Sequence, residues 1–234
     1  MTEITVFGAG GRVGRAVVRE ALARGHRVTA VVRDPSAHTS VADDATDPKV
    51  DAHPVDNSGA NEDGRSAGVV TYVRGDILDA EAVARFTEGK AAVVNAAADL
   101  SADPGEHFPA ANRALLASEA PRVIAIGLGS YLEMSDGGTW MDLPDFPPEY
   151  RPFNEGHLAG VNVLREGGNR LDWLILSPSG DFDHDAGRTG EYRVAPGSPS
   201  SRISLPDFAI AVLDEIEKPS RSHTHVGVEN GMRS

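Results

Sequence analysis

Three glycines near the start of the chain have the clearest chemical meaning. Gly8, Gly11 and Gly14 are spaced G-x-x-G-x-x-G between an apolar, strand-like run and a helical pattern. In dinucleotide-binding folds the first glycine permits a tight turn, the second lets backbone N–H groups approach a pyrophosphate, and the third lets the helix pack on its strand. The helix N-terminus adds unpaired N–H groups and a positive dipole end. The spacing predicts a dinucleotide site, and a tight turn without a ligand is the alternative.

Arg33 and Asp34 close the second predicted strand, where dinucleotide folds recognise the adenosine ribose. An acid there binds the 2′-hydroxyl, whereas an arginine accommodates a 2′-phosphate. Arg12, inside the glycine loop, is a second candidate cation. We therefore predict NADP, with NADPH preferred over NADH. Asp34 keeps NAD open, and a solvated charge at a strand end is the simpler explanation of Arg33.

Strand and helix patterns alternate along the rest of the chain. This alternation predicts an α/β protein, a Rossmann-type doubly wound parallel sheet with helices on both faces and a small C-terminal substrate-side region. We expect one domain over residues 1–234, with substrate-side segments at about 131–160 and 180–205. The predicted strands cover 4–7, 27–33, 69–74, 91–97, 122–126, 171–177, 190–194, 202–204 and 224–228. The predicted helices cover 12–24, 79–88, 109–120, 153–166 and 206–217, with Asp79 as an N-cap and Pro109 in a first turn.

Composition excludes several classes of function. The 234 residues carry a net charge of -13, from 35 acidic and 22 basic side chains, which argues against binding nucleic acid. No run approaches the roughly 18 apolar residues of a membrane span, and the first strand leaves no room for a signal peptide. Cysteine is absent, which excludes disulfides, thiolate metal sites and cysteine nucleophiles. We expect a cytoplasmic monomer or homodimer that acts on a small molecule.

Residues at about 40–67 lack any sustained periodicity and are rich in acids, Pro, Gly, Ser and Asn, which predicts a flexible acidic insertion. His38, His53 and His184 have acidic neighbours, a composition that could suggest a metal. Their spacing matches no recognised metal motif, so no metal site is predicted.

Several segments together resemble a known family. VFGAGGRVGRAVVREALARGHRVTAVVRDPS resembles the cofactor half of the atypical and extended short-chain dehydrogenase/reductases. The later segments are similar to the NmrA-like, NADH-flavin reductase-like group: IGLGSYLE, DLPDFPPEYRP, LDWLILSPSGDF, RTGEYRV and SRISLPDFAIAVLDEIE. The resemblance covers nearly the whole chain apart from the acidic insertion.

The resemblance implies a Rossmann-type sheet that holds NAD(P)H. The cofactor contacts that it implies are Gly8, Gly11, Arg12, Val13, Arg33, Asp76, Ile77 and Ala96. Small side chains at Ala96 and Ala97 would let a nicotinamide ribose lie against the backbone. The group includes flavin and quinone reductases, tailoring enzymes, and redox-sensing regulators that bind cofactor without turnover, so the resemblance does not imply one reaction.

The proton donor used by typical short-chain dehydrogenases is incomplete in this chain. Those enzymes place a serine after the fifth strand and use Tyr-x-x-x-Lys, in which the lysine lowers the pKa of the tyrosine. Ser130 and Tyr150 are the counterparts, but Asn154 stands in the lysine's place. The chain's only lysines are distant in sequence: Lys49, Lys90 and Lys218. An unassisted tyrosine has a pKa of about 10, so we do not expect the Tyr–Lys mechanism.

Two mechanisms remain. Hydride could pass to a flavin or quinone, whose reduced form is protonated by solvent. Alternatively, Tyr131, Tyr150 or His157 donates the proton with Ser130 as the orienting donor, since histidine titrates in a useful range. A surface histidine, an aromatic plug and a turn cap are the structural explanations of these residues.

These observations predict an NAD(P)H-dependent reductase of a flavin, a quinone or a related conjugated carbonyl compound that lacks a Tyr–Lys pair. One alternative is a non-catalytic NADP(H)-binding redox sensor. The other is a tailoring enzyme that performs reduction, dehydration or isomerisation on a specialised, polyketide-like metabolite.

Overall fold

The computed structural model describes residues 1–37 and 68–231, in which strands and helices alternate as the pattern predicts. The strands are β1 (Glu3–Phe7), β2 (Arg27–Val32), β3 (Val69–Arg74), β4 (Ala92–Asn95), β5 (Arg122–Ile126), β6 (Asp172–Pro178), β7 (Asp181–Asp183), β8 (Tyr192–Val194), β9 (Arg202–Ser204) and β10 (Thr224–Asn230). The helices are α1 (Arg12–Ala23), α2 (Ala80–Thr87), α3 (Pro104–Leu115), α4 (Arg151–Gly167) and α5 (Leu205–Glu217). The predicted acidic insertion, His38 and His53 lie outside the described residues.

Eight strands form one sheet in the order β3-β2-β1-β4-β5-β6-β10-β8. Its neighbours run parallel except β8, which is antiparallel to β10. Strands β7 and β9 pair in a separate two-stranded parallel sheet. The strand order reverses direction between β1 and β4, which confirms the Rossmann-type fold and places a crevice at the carboxyl end of β1.

Apolar layers cover both faces of the sheet, as buried parallel strands require. Val6 points into the layer that α1 and α5 complete, where Leu22 and Phe208 are buried. Phe7, the next residue, points into the opposite layer, where Leu115 and Leu164 pack from α3 and α4. Because successive strand residues face opposite sides, the mainly apolar run of β1 is buried on both.

Helix α3 begins at Pro104, so the predicted start at Pro109 was wrong. The Asp103 carboxylate accepts a hydrogen bond from the Glu106 N–H at 3.1 Å, and Pro104 fills the first turn, where a missing N–H has no cost. Pro109 instead lies inside the helix. The predicted N-cap of α2 is confirmed, since Asp79 accepts from the N–H groups of residues 81 and 82.

The turn between β1 and α1 has almost no free space. A Cβ on Gly14 would lie 2.1 Å from the Gly8 carbonyl oxygen and 2.8 Å from its carbon. A Cβ on Gly8 would lie 2.5 Å from the Ala96 carbonyl group, and its φ is +73°, in the left-handed region. The glycine spacing therefore lets helix, turn and the chain after β4 pack backbone against backbone.

A buried ion pair joins the amino end of β5 to α5. Arg122 donates from Nη1 to Asp172 at 2.7 Å and from Nη2 to Glu215 at 3.0 Å, and both Arg122 and Glu215 are buried. Burial opposes ionisation of Glu215, but hydrogen bonds from Ser220 and the Arg122 charge outweigh it and hold the Glu215 pKa below its ordinary value.

We predict that Glu215→Gln lowers the free energy of unfolding by about 3 kcal/mol at pH 7, because it removes the buried partner of the Arg122 charge and leaves only the more exposed Asp172. A carboxylate whose pKa is lowered by folding stabilises the protein above its ordinary pKa of 4.5, and that stabilisation is lost as the pH falls below it. Urea unfolding at pH 7, 5 and 3.5 should show the gap between wild type and variant closing towards acid. The exposed Glu166→Gln is the control, and a gap that is independent of pH would contradict the prediction.

We also predict that Gly14→Ala destabilises the fold by about 1–3 kcal/mol, because its Cβ would overlap the Gly8 backbone. Gly187→Ala is the matched control, since a Cβ there meets nothing within 4 Å. Thermal unfolding of both variants measures the difference. Equal melting temperatures would show that the turn relaxes without penalty.

Candidate active site

The glycine loop lies at the carboxyl end of β1, between β2 and β4. Gly11 donates its N–H to the Gly8 carbonyl at 3.0 Å and is the N-cap of α1, to which it contributes no side-chain hydrogen bond. Arg12 starts the helix and is exposed. The first N–H groups of α1 therefore face the crevice without a side-chain cap, an arrangement that suits a phosphate.

The other residues predicted to contact a cofactor lie along the same edge of the sheet. Asp76 is exposed after β3, and its carboxylate accepts from the Leu78 N–H at 3.0 Å, while Ile77 is buried. After β4 the chain leaves the sheet at Asn95, whose Oδ1 accepts from the Ala97 N–H at 3.1 Å, so this strand ends two residues before the predicted bound. Val13 and Gly14 lie on the first turn of α1.

Arg33 is exposed just after β2, and its guanidinium donates to the Asp99 carboxylate at 2.6 Å. Asp99 belongs to the loop after β4, so this pair crosses the carboxyl end of β1. The sequence did not reveal the pair, because 66 residues separate its members. Arg33 therefore has an anionic partner within the chain.

Ser130 and Asn154 form a buried hydrogen bond whose donor and acceptor can be assigned. The Asn154 Nδ2 donates to the Tyr150 backbone carbonyl at 2.7 Å, and that carbonyl can only accept. The Asn154 Oδ1 must therefore face Ser130, and the Ser130 hydroxyl donates to it. From the sequence, Asn154 was expected only to lack the charge of a lysine. In the structure it is the hydrogen-bond partner of Ser130.

Tyr150 itself contributes its backbone to this cluster. The residue is 57% exposed, and its carbonyl anchors Asn154 at the start of α4. The four predicted catalytic residues therefore fall into two groups. Ser130 is connected to the backbone of Tyr150 through hydrogen bonds to Asn154, and Tyr131 contacts His157.

The Tyr131 hydroxyl is buried between a backbone donor and a histidine. It accepts from the Leu128 N–H at 3.1 Å and lies 2.8 Å from the His157 Nδ1. Burial is the main cause that raises the pKa of Tyr131 above its ordinary value. The phenol therefore keeps its proton at pH 7, and the tautomer of His157 decides which of the two groups donates in this contact.

His157 packs against the Phe108 ring, with 4.3 Å between ring centroids. Burial, aided by His107, lowers the pKa of His157 to about 4. The expectation that His157 titrates near neutral pH was therefore wrong, because burial disfavours its charged form. At pH 7 it is therefore neutral and 2.8 Å from the Tyr131 hydroxyl.

His225, which the sequence did not single out, extends this cluster. Its Nε2 lies 2.6 Å from the Ser177 hydroxyl, and its ring centroid lies 5.2 Å from that of Tyr131. Burial is the main cause that lowers the pKa of His225 to about 3. In the sequence, His225 lies in a short predicted strand near the end of the chain. That position does not indicate which strand it pairs with, so the sequence could not place His225 beside Tyr131.

Two further observations concern other classes of site. Among residues 1–37 and 68–231, no three His, Asp or Glu side chains cluster in a way that could hold a metal ion, and His184 is exposed. Within the same ranges no helix has the length and apolarity that crossing a membrane requires.

Comparison with known proteins agrees with the fold. The model of the NAD dependent epimerase/dehydratase family matches residues 4–113. The uncharacterized protein YwnB of Bacillus subtilis is 31% identical, over 94% of this chain and 95% of its own length.

Solved structures share the fold over the whole chain. One, from Streptococcus pneumoniae and named as a candidate NADH-flavin reductase, is 25% identical with a TM-score of 0.71, covering 99% of this chain and 100% of that one. ChuY, an anaerobilin reductase of Escherichia coli O157:H7, is 18% identical with a TM-score of 0.66, covering 100% and 99%. At that identity ChuY shows the fold alone.

The glycine turn, the sheet order and the relationship to YwnB lead to one assignment. The chain belongs to the same family as YwnB, within the NAD(P)-binding oxidoreductases of the atypical short-chain dehydrogenase/reductase type.

Proposed function

We propose that the protein is an NAD(P)H-dependent reductase that passes hydride to a flavin, a quinone or a related conjugated carbonyl compound. The observation that carries the proposal is that neither polar pair at the site provides an acid near neutral pH. The Ser130 hydroxyl donates to Asn154, burial raises the pKa of Tyr131, and His157 is neutral. A flavin or quinone needs no acid from the protein, because solvent protonates its reduced form.

The crevice fits a dinucleotide on steric grounds. Any side chain at Gly8 would displace the Ala96 backbone. The bare backbone of Gly8 and Gly11, with the N-terminus of α1, would hold the pyrophosphate. NAD(P)H would supply the hydride when bound, and Arg33 and Arg12 are the cations that a 2′-phosphate on its adenosine ribose would meet.

The nicotinamide end of the cofactor would lie beyond Ala96 and Ala97, towards the turn after β5. Ser130 follows that turn, and its proton is committed to Asn154, so it retains lone pairs that accept from an N–H group. The carboxamide of a nicotinamide and the ring N–H of a flavin both provide such a donor. We place the substrate against the segments 131–160 and 180–205.

Relatives support this choice of reaction. The Streptococcus pneumoniae structure at 25% identity carries a name that refers to flavin reduction by NADH. The same proton arrangement would also suit a redox sensor that binds NADP(H) without turnover, and the assay below separates the two.

We predict that the purified protein oxidises NADPH, followed at 340 nm, with at least one acceptor from a panel of FMN, FAD, menadione and a conjugated enone. Gly8→Ala is the control, because its positive φ and its contact with Ala96 should abolish nucleotide binding. Binding of NADPH without oxidation above background, over the whole panel, would contradict the reductase and favour the sensor.

We further predict a rate that is flat between pH 5.5 and 8. His157 has a pKa of about 4 and so does not change charge in this window, while the raised pKa of Tyr131 lies above it. His157→Gln should therefore alter kcat by no more than about threefold, like the exposed control His184→Gln. An inflection near pH 6.5 that His157→Gln removes would show that His157 donates the proton.

A further inference from the structure

The carboxyl edge of the sheet carries two arginine–carboxylate pairs. Arg33, after β2, donates to Asp99 at 2.6 Å, and Arg74, at the end of β3, lies 3.6 Å from Asp34. In the sheet, Phe7 of β1 stands between Val31 of β2 and Asn95 of β4. Asp99 lies four residues after Asn95, so the Arg33–Asp99 pair spans the carboxyl end of β1, directly beside the glycine loop.

The Asp99 carboxylate is held in place. Its Oδ1 accepts from the Ser101 N–H at 2.9 Å and from the Ser101 hydroxyl at 2.6 Å, which leaves Oδ2 for Arg33. Mainly the hydrogen bonds from Ser101, and to a smaller extent the Arg33 guanidinium, lower the pKa of Asp99 to about 2. Asp99 is therefore an ionised, oriented acceptor over the whole physiological pH range.

The second pair is looser. Asp34 Oδ1 accepts from the Ser36 N–H at 3.1 Å and from the Ser36 hydroxyl at 2.7 Å, and the same oxygen lies 3.6 Å from Arg74 Nη2. Arg33 and Arg74 thus each have an acid beside them, and each acid is oriented by a serine two residues later. These two pairs together contribute no net charge where an adenosine ribose would lie.

We propose that Asp99 sets the preference between phosphorylated and unphosphorylated adenosine ribose by holding Arg33, an inference that rests on the proposed dinucleotide site. A 2′-phosphate needs the N–H donors of Arg33, and bidentate pairing of arginine with phosphate requires a free face of the guanidinium. Asp99 occupies one of these donors and repels the incoming dianion. A ribose with a free 2′-hydroxyl carries no such charge and does not compete for Arg33.

The deciding experiment uses fragments of the cofactor, so it does not depend on turnover. Adenosine 2′,5′-bisphosphate and 5′-AMP are titrated by calorimetry into wild type, Asp99→Asn, Arg33→Gln and the double variant, at fixed low salt. Asparagine keeps the acceptor for Ser101 and removes the charge. Glu88→Gln is the matched control, because it removes one acid next to Gly89 at the opposite edge of the sheet.

We expect Asp99→Asn to bind the bisphosphate about tenfold more tightly and 5′-AMP within twofold of wild type. In the Arg33→Gln background the same change should give at most a twofold gain, since Asp99 acts through Arg33. Glu88→Gln should leave both affinities unchanged.

Three results would overturn the proposal. Weaker binding of the bisphosphate to Asp99→Asn would mean that Asp99 positions Arg33 for the phosphate. Equal tightening of both fragments, or a full gain that persists without Arg33, would mean a general charge effect. The fragment titrations also separate this inference from the proposed reductase activity. If both fragments bind as expected but no acceptor oxidises NADPH, this inference stands and the reductase fails. If neither fragment binds any variant, the dinucleotide site itself fails.

Discussion

Backbone contact between the β1–α1 turn and the chain after β4 is the constraint on which the rest of the site depends. A side chain at Gly8 would run into Ala96, and one at Gly14 would run into Gly8. The close contact puts the N-terminus of α1, the end of β2 and the loop after β4 around one crevice. Arg33 and Asp99 follow the two strands that flank β1, and they meet across its carboxyl end. The exclusion of side chains at Gly8 and Gly14 therefore shapes the crevice, and the charged pairs beside it influence which ligand it would bind.

The direction of one amide determines what the neighbouring hydroxyl can do. The Tyr150 carbonyl accepts from Asn154, so the Asn154 oxygen faces Ser130 and takes its proton. A lysine at this position would add a positive charge and would have no acceptor for Ser130. Asparagine at this position thus does more than lack a charge, because it takes the Ser130 proton and would leave Ser130 as an acceptor towards a bound ligand.

Much of the fold was predictable because local signals agree with the tertiary structure. The bounds of β3, β5 and β9 are as predicted, and Asp79 caps α2. The predicted start of α3 at Pro109 was wrong because Asp103 and Pro104 form the N-terminal cap and first turn, and Pro109 is accommodated inside the helix. The sequence could not predict that His157 is neutral at pH 7. Its pKa is lowered by burial against Phe108, which belongs to another helix.

The sequence by itself determined the dinucleotide turn, the order of strands and helices and the absence of a lysine four residues after Tyr150, because each of these depends on residues close together in the chain. The tertiary structure decided which partners the polar groups have. Arg33 meets Asp99, Ser130 meets Asn154, and Tyr131 meets His157 across separations of 66, 24 and 26 residues. Proton direction and charge at a site are properties of such long-range contacts, and spacing along the chain contains no information about them.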